Sequence, residues 1–170
     1  MSSRKRQQLG LTIVELVIVM CILAVLSSIA ISRMGDFTRR ARISEVIMAA
    51  GFCKSMVSES YPTLDFTPAA GGWGCNEGQM TNATKYAGVV HTSPEGIIRI
   101  TIQNLDNAVN GQHVFLVPAK ADGITPMTTP NDLGNGVRSW ICGSDFSIVR
   151  NALPANCRAD TLTYANYDYN

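Results

Sequence analysis

Hydrophobic and polar positions divide this chain into stretches of different period. From Leu11 to Ile31 it is apolar for about 20 residues with a single charge, Glu15, and as a helix such a run just crosses the hydrocarbon core of a bilayer. A membrane segment is predicted there. Beyond it Ile43, Ile47, Ala50, Cys53 or Lys54, and Val57 recur at spacings of three and four, with Arg42, Glu45, Ser55 and Glu59 on other faces. That pattern predicts a continuing amphipathic helix with one apolar stripe. Tyr61-Pro62 ends it, because the residue before a proline is biased away from helical geometry. One helix from about Leu11 to Ser60 is expected, with Gly35 and Gly51 as its weak points.

From Pro62 to about Lys85 the composition shifts to Pro, Gly, Thr and Asn, including Gly71-Gly72-Trp73-Gly74-Cys75. A loop of that length is expected to be functional or pinned. Ile98, Ile100 and Ile102 then alternate with Arg99, Thr101 and Gln103, and His113 to Val117 is a second strand run, with the turn pair Asn110-Gly111 between them. Trp140 to Cys142 predicts a third strand and Phe146 to Val149 a fourth. Together these give an α+β fold: a long helix on the apolar face of an antiparallel sheet whose polar face is outside. Between the middle strands, Asp122 to Gly136 carries Pro126, Pro130, Asn131, Asp132, Gly134 and Gly136. Turn chemistry accounts for them, with a calcium loop built on Asp132 as the alternative.

Of the 170 residues, about 140 lie beyond the apolar run, enough for one small domain. The formal charge of +1 offers no overall basic field for nucleic acid. Cys21 falls in the apolar run as a small hydrophobe, while Cys53, Cys75, Cys142 and Cys157 form an even set suited to disulfides in an oxidising compartment. Their spacing alone permits three pairings. Two histidines and no C-x-x-C pair argue against zinc. Asn82-Ala83-Thr84 matches a glycosylation sequon, a pattern too common to carry weight. No nucleophile elbow, phosphate-binding glycine loop or metal motif stands out, so no enzyme activity, metal or cofactor is expected.

Glu15 needs a partner, since a carboxylate at the centre of a membrane helix costs about 2.5 to 3.5 kcal/mol. The basic leader ending in Gly10, followed by Leu11, Thr12, Ile13, Val14, Glu15 and Leu16, resembles the prepilin signal of type IV pilins and secretion pseudopilins. The resemblance implies that a prepilin peptidase cuts after Gly10 and N-methylates Leu11. The new ammonium then supplies the cation that Glu15 lacks, in its own helix or a neighbour's. Loss of Met1 to Gly10 removes Arg4, Lys5 and Arg6, so the 14 basic side chains fall to 11 against 13 acidic ones. A secretory signal cut near Ser28-Ile29-Ala30 is a rival, but its apolar region would exceed the usual 7 to 15 residues. A plain membrane anchor with Glu15 complementing the helix dipole is another.

A second likeness lies at the far end. Ser139-Trp140-Ile141-Cys142 and Leu153-Pro154-Ala155-Asn156-Cys157-Arg158 are similar to the disulfide-bounded region of type IVa major pilins. That likeness implies Cys142 with Cys157, leaving Cys53 with Cys75. Ser32 stands where such proteins often carry a proline, so a kink there is open. The implied organisation is a cleaved leader (1–10), a transmembrane and polymerisation helix (11–31), its amphipathic continuation (32–61) and an exported sheet domain (62–170). The implied role is a structural subunit passing from the inner membrane to an extracellular pilus. Its expected partners are identical and related pilin subunits, the prepilin peptidase and the inner-membrane assembly platform. The rivals are a secretion pseudopilin and a minor pilin that binds DNA through Arg138, Arg150 and Arg158, a weak electrostatic footprint.

Overall fold

The structure, a computed structural model, describes residues 12–75 and 83–169, without the side chains of residues 30–33 and 36. Gly10, Leu11 and Asn82 of the sequon lie outside the described residues, as does the side chain of Ser32. The chain divides into two units between Phe37 and Thr38.

Helix α1 spans Ile13–Ala49 and α2 spans Gly51–Ser60. The expected continuous helix is interrupted at Ala50, where ψ is −5° and the amide turns back to the Ile47 carbonyl at 3.2 Å. The break adjoins Gly51, whereas the helix runs on through Gly35. Among the described residues no helix is long and apolar enough to cross a membrane. The span expected at 11–31 begins at Leu11, outside the described residues, and the side chains of Ala30 and Ile31 at its end are also outside that description.

In the second unit Ile43, Val46, Cys53 and Val57 of the helices, with Ala50 between them and Tyr61 just after, are all buried, at successive spacings of three and four. This stripe is turned slightly from the expected one: Val46 replaces Ile47 as the fully buried residue, and Lys54 points outward. It packs against Val90, Ile98, Ile100, Ile102, Val114 and Leu116 of the sheet. The strands are β1 (Ala87–Thr92), β2 (Ile98–Ile102), β3 (His113–Ala119), β4 (Ser139–Ser144) and β5 (Ala159–Asp160), lying side by side in that order. The first four pair antiparallel and β5 pairs parallel with β4. Opposite partners such as Ile98 with Leu116 and Ile100 with Val114 put the branched side chains on one face.

Three expectations are corrected. Phe146 to Val149 is not a strand: α3 spans Ser147–Ala152, its start held by the Ser144 hydroxyl, which accepts from the Phe146 amide at 3.2 Å. Strand β1, unpredicted, lies between the end of the expected loop and β2. The outer face of the sheet is also not simply polar. Ile97, Phe115 and Val117 form a second buried cluster there, covered by Tyr169 with Tyr164 and Ala165 of the C-terminal tail. The Asn110-Gly111 turn stands where expected, with Gly111 at φ 80°, though within a longer β2–β3 connection.

Candidate functional site

Thr12 and Glu15 build the start of α1. The Thr12 amide and hydroxyl both donate to Glu15 Oε2, at 3.1 and 2.9 Å, while the Glu15 amide donates to the Thr12 hydroxyl at 3.3 Å. This reciprocal arrangement is a capping box, which satisfies amides that the first helical turn leaves unpartnered. Among the described residues only Oε2 accepts a hydrogen bond, and a carboxylate has a second oxygen able to accept another. Thr12 was missed as a functional residue from the sequence, although the T-x-x-E spacing before an apolar run signals it.

After that cap the helix presents apolar side chains in every direction. Ile13 is 82 % exposed, and Leu16, Val17, Ile18, Val19, Ile22, Leu23, Val25, Leu26 and Ile29 are each more than half exposed. A helix apolar all round is not a stable solvent-facing element and requires an apolar environment from elsewhere.

In the second unit, Cys53 is bonded to Cys75 and Cys142 to Cys157. The first links α2 to the loop after it; the second closes a loop containing α3. The loop after α2 is gripped further. Trp73 stacks on Tyr61 at 4.9 Å between centroids and donates its indole N–H to the Ser93 carbonyl at 2.8 Å. Tyr61 donates to the Glu95 carbonyl, and its burial pushes the hydroxyl pKa up so that it remains a donor. The turn it grips needs Gly96, which sits at φ 78°, where a Cβ would meet Val57, Tyr61 and Trp73.

The calcium alternative has its key carboxylate already engaged. Burial raises the Asp132 pKa, but the Thr128 amide and the Lys120 ammonium, at 2.9 Å, outweigh it and hold the carboxyl ionised. Among the described residues no group of three or more His, Cys, Asp or Glu side chains could hold a metal. The three arginines of the DNA reading are dispersed in their contacts. Arg150 pairs with Asp160 at 3.0 Å, Arg158 donates to the Leu153 carbonyl at 2.8 Å, and Arg138 lines a separate pocket with Lys120 and Asp132. On α1, Arg39 pairs with Asp106 at 2.9 Å and Arg42 lies over the Tyr86 ring.

A model of the pilin family, proteins of bacterial filaments, matches residues 39–158. This chain belongs to the pilin family. The fimbrial protein EcpC of Eikenella corrodens is 31% identical over 160 residues, covering 91% of this pilin and 93% of that protein. The type IV major pilin PilE of Neisseria gonorrhoeae is 28% identical over 158 residues, covering 89% and 94% respectively. A crystal structure of a Pseudomonas aeruginosa type IV pilin covers 72% of this pilin and 99% of that chain, with a TM-score of 0.49 and 25% identity. The pilin is thus an α+β protein, helix on antiparallel-dominant sheet, and its role is structural, as a filament subunit.

Proposed function

We propose that this pilin is made as an inner-membrane precursor, cleaved after Gly10, methylated on Leu11 and assembled into a type IV pilus outside the cell. The observation that carries this is the capped Glu15 at the head of a helix whose apolar side chains are exposed all round. Residues 11–31 are anchored in lipid before assembly and lie in the filament core afterwards, so assembly exchanges one apolar environment for another. Cleavage creates an ammonium at Leu11, and a neighbouring subunit's ammonium pairs with Glu15 at Oε1. The capping box fixes the carboxylate's direction, and the pair sets the register between helices.

The prepilin peptidase and the inner-membrane assembly platform act on the precursor. Related pilins join it in the filament, which serves adhesion, twitching motility or DNA uptake without enzymatic activity or cofactor of its own. The closed Cys142–Cys157 loop favours the pilus over a secretion pseudopilin. Mass spectrometry of the exported protein tests the processing: the expected first residue is methylated Leu11. A mature terminus near Ile31 would establish ordinary secretion and end the pilus reading.

A further inference from the structure

A groove of about 440 Å³ lies in the second unit beside the Cys142–Cys157 loop. Ile47 and Met48 of α1 form one side, and Leu116, Trp140 and Pro154 form the other. Among the described residues Lys54 is the one charged side chain lining it, with its ammonium 5.7 Å from the centre of the Trp140 ring. Among the described residues no carboxylate forms an ion pair with that ammonium. The groove therefore offers largely apolar walls with Ser44 and Asn156 as polar members, an aromatic edge and one cation. Such a surface fits an acidic residue adjoining an aromatic one.

The same unit displays that combination elsewhere. Asp65 and Phe66 are adjacent on the loop after α2, both exposed, with Phe66 at 65 %. Among the described residues Asp65 makes no ion pair. The loop is anchored behind them by buried Trp73 and by the Cys53–Cys75 bond, so the pair is held on an anchored loop rather than a free one. Anchoring lowers the ordering cost of a docking contact, and a lone aromatic entering a desolvated pocket is the usual centre of binding energy.

We propose that Asp65 and Phe66 of one subunit dock into this groove on a second copy of the chain, Phe66 between the apolar walls and Asp65 on Lys54. Knob and groove are different patches of one surface, so the contact is heterologous and propagates head to tail instead of closing as a dimer. It rests on the filament reading and adds to it a contact between exported units, separate from the apolar helix. Lys54→Glu and Asp65→Lys are exposed changes that each set like charges against one another. As sole subunits, each should cut the yield of sheared filaments by about tenfold while exported subunit and disulfide content stay unchanged. Lys54→Glu with Asp65→Lys restores opposite charges and should recover the yield to within about twofold of the parent. Single variants at parental yield, or a double variant no better than the singles, would overturn this contact and leave the filament role standing. Absence of filaments from the unsubstituted chain would overturn both.

Discussion

Replacing Trp73 with alanine tests whether the loop after α2 is an integral part of the sheet domain. The indole is 2 % exposed, stacks on Tyr61 at 4.9 Å and satisfies the Ser93 carbonyl at 2.8 Å. Removing it opens a cavity against Tyr61 and takes one of two donors from the Ser93 carbonyl, which keeps the Gly96 amide at 2.9 Å. Large-to-small aromatic changes of this kind cost about 3 to 5 kcal/mol. With a urea dependence of about 2 kcal/mol/M, the unfolding midpoint should fall by about 2 M, read by pulse proteolysis of the full chain in detergent with disulfides intact. Trp73→Phe keeps most of the stacking but loses the N–H, while the Gly96 amide still satisfies the Ser93 carbonyl, so it should cost about 0.5 to 1.5 kcal/mol. A Trp73→Ala midpoint within about 0.5 M of the parent would refute the reasoning, because the loop would then be held by the Cys53–Cys75 bond alone.

Tyr169→Ala should destabilise the domain by about 3 kcal/mol, since the ring covers Phe115 and lies 4.2 Å from the Arg99 guanidinium; the same urea titration measures it. His113 gives a pH dependence. Burial lowers its pKa, with Arg99 and His91 adding to the effect and Asp145 opposing it. The unfolded chain therefore binds the proton first, and stability falls as pH drops from about 7.5 through the unfolded value near 6.5. His113→Gln should flatten that slope in urea midpoints measured at several pH values, and an unchanged slope would assign it to other groups.

The helical stripe and the alternation of β2 were legible in the sequence because burial on one face of a regular element imposes a period. Segments shaped by contacts made elsewhere were not. Strand β1 contains a register shift between Ala87 and Val90 and includes Gly88, which blurs its alternation. Phe146 to Val149 reads as a strand over four residues, but the buried positions are Val149, Ala152 and Leu153, a helical spacing visible only over a longer window. Phe115 and Val117 of β3 look outward, yet the tail that covers them is a polar and aromatic segment with no period of its own. Gly143 likewise has a reason found only in three dimensions: a Cβ there would collide with the backbone of Ala159 in β5. At the head of α1, Glu15 announced itself as a charge in an apolar run, while its partner Thr12 stood out only as one residue of the leader motif because a hydroxyl costs little there.

The central claim is that the Glu15 carboxylate directs assembly. A role limited to the helix cap and dipole makes Glu15→Ala worth about 0.5 to 2 kcal/mol, tolerable in a helix of 37 residues. Pairing with a neighbour's Leu11 ammonium in an apolar core makes the loss about 3 to 5 kcal/mol at every subunit added. The decisive measurement is electron microscopy and sheared-filament yield from cells with Glu15→Ala as sole subunit. The account predicts subunits that are cleaved at Gly10 and retained in the membrane with few or no filaments. Filaments at the parental yield would contradict it.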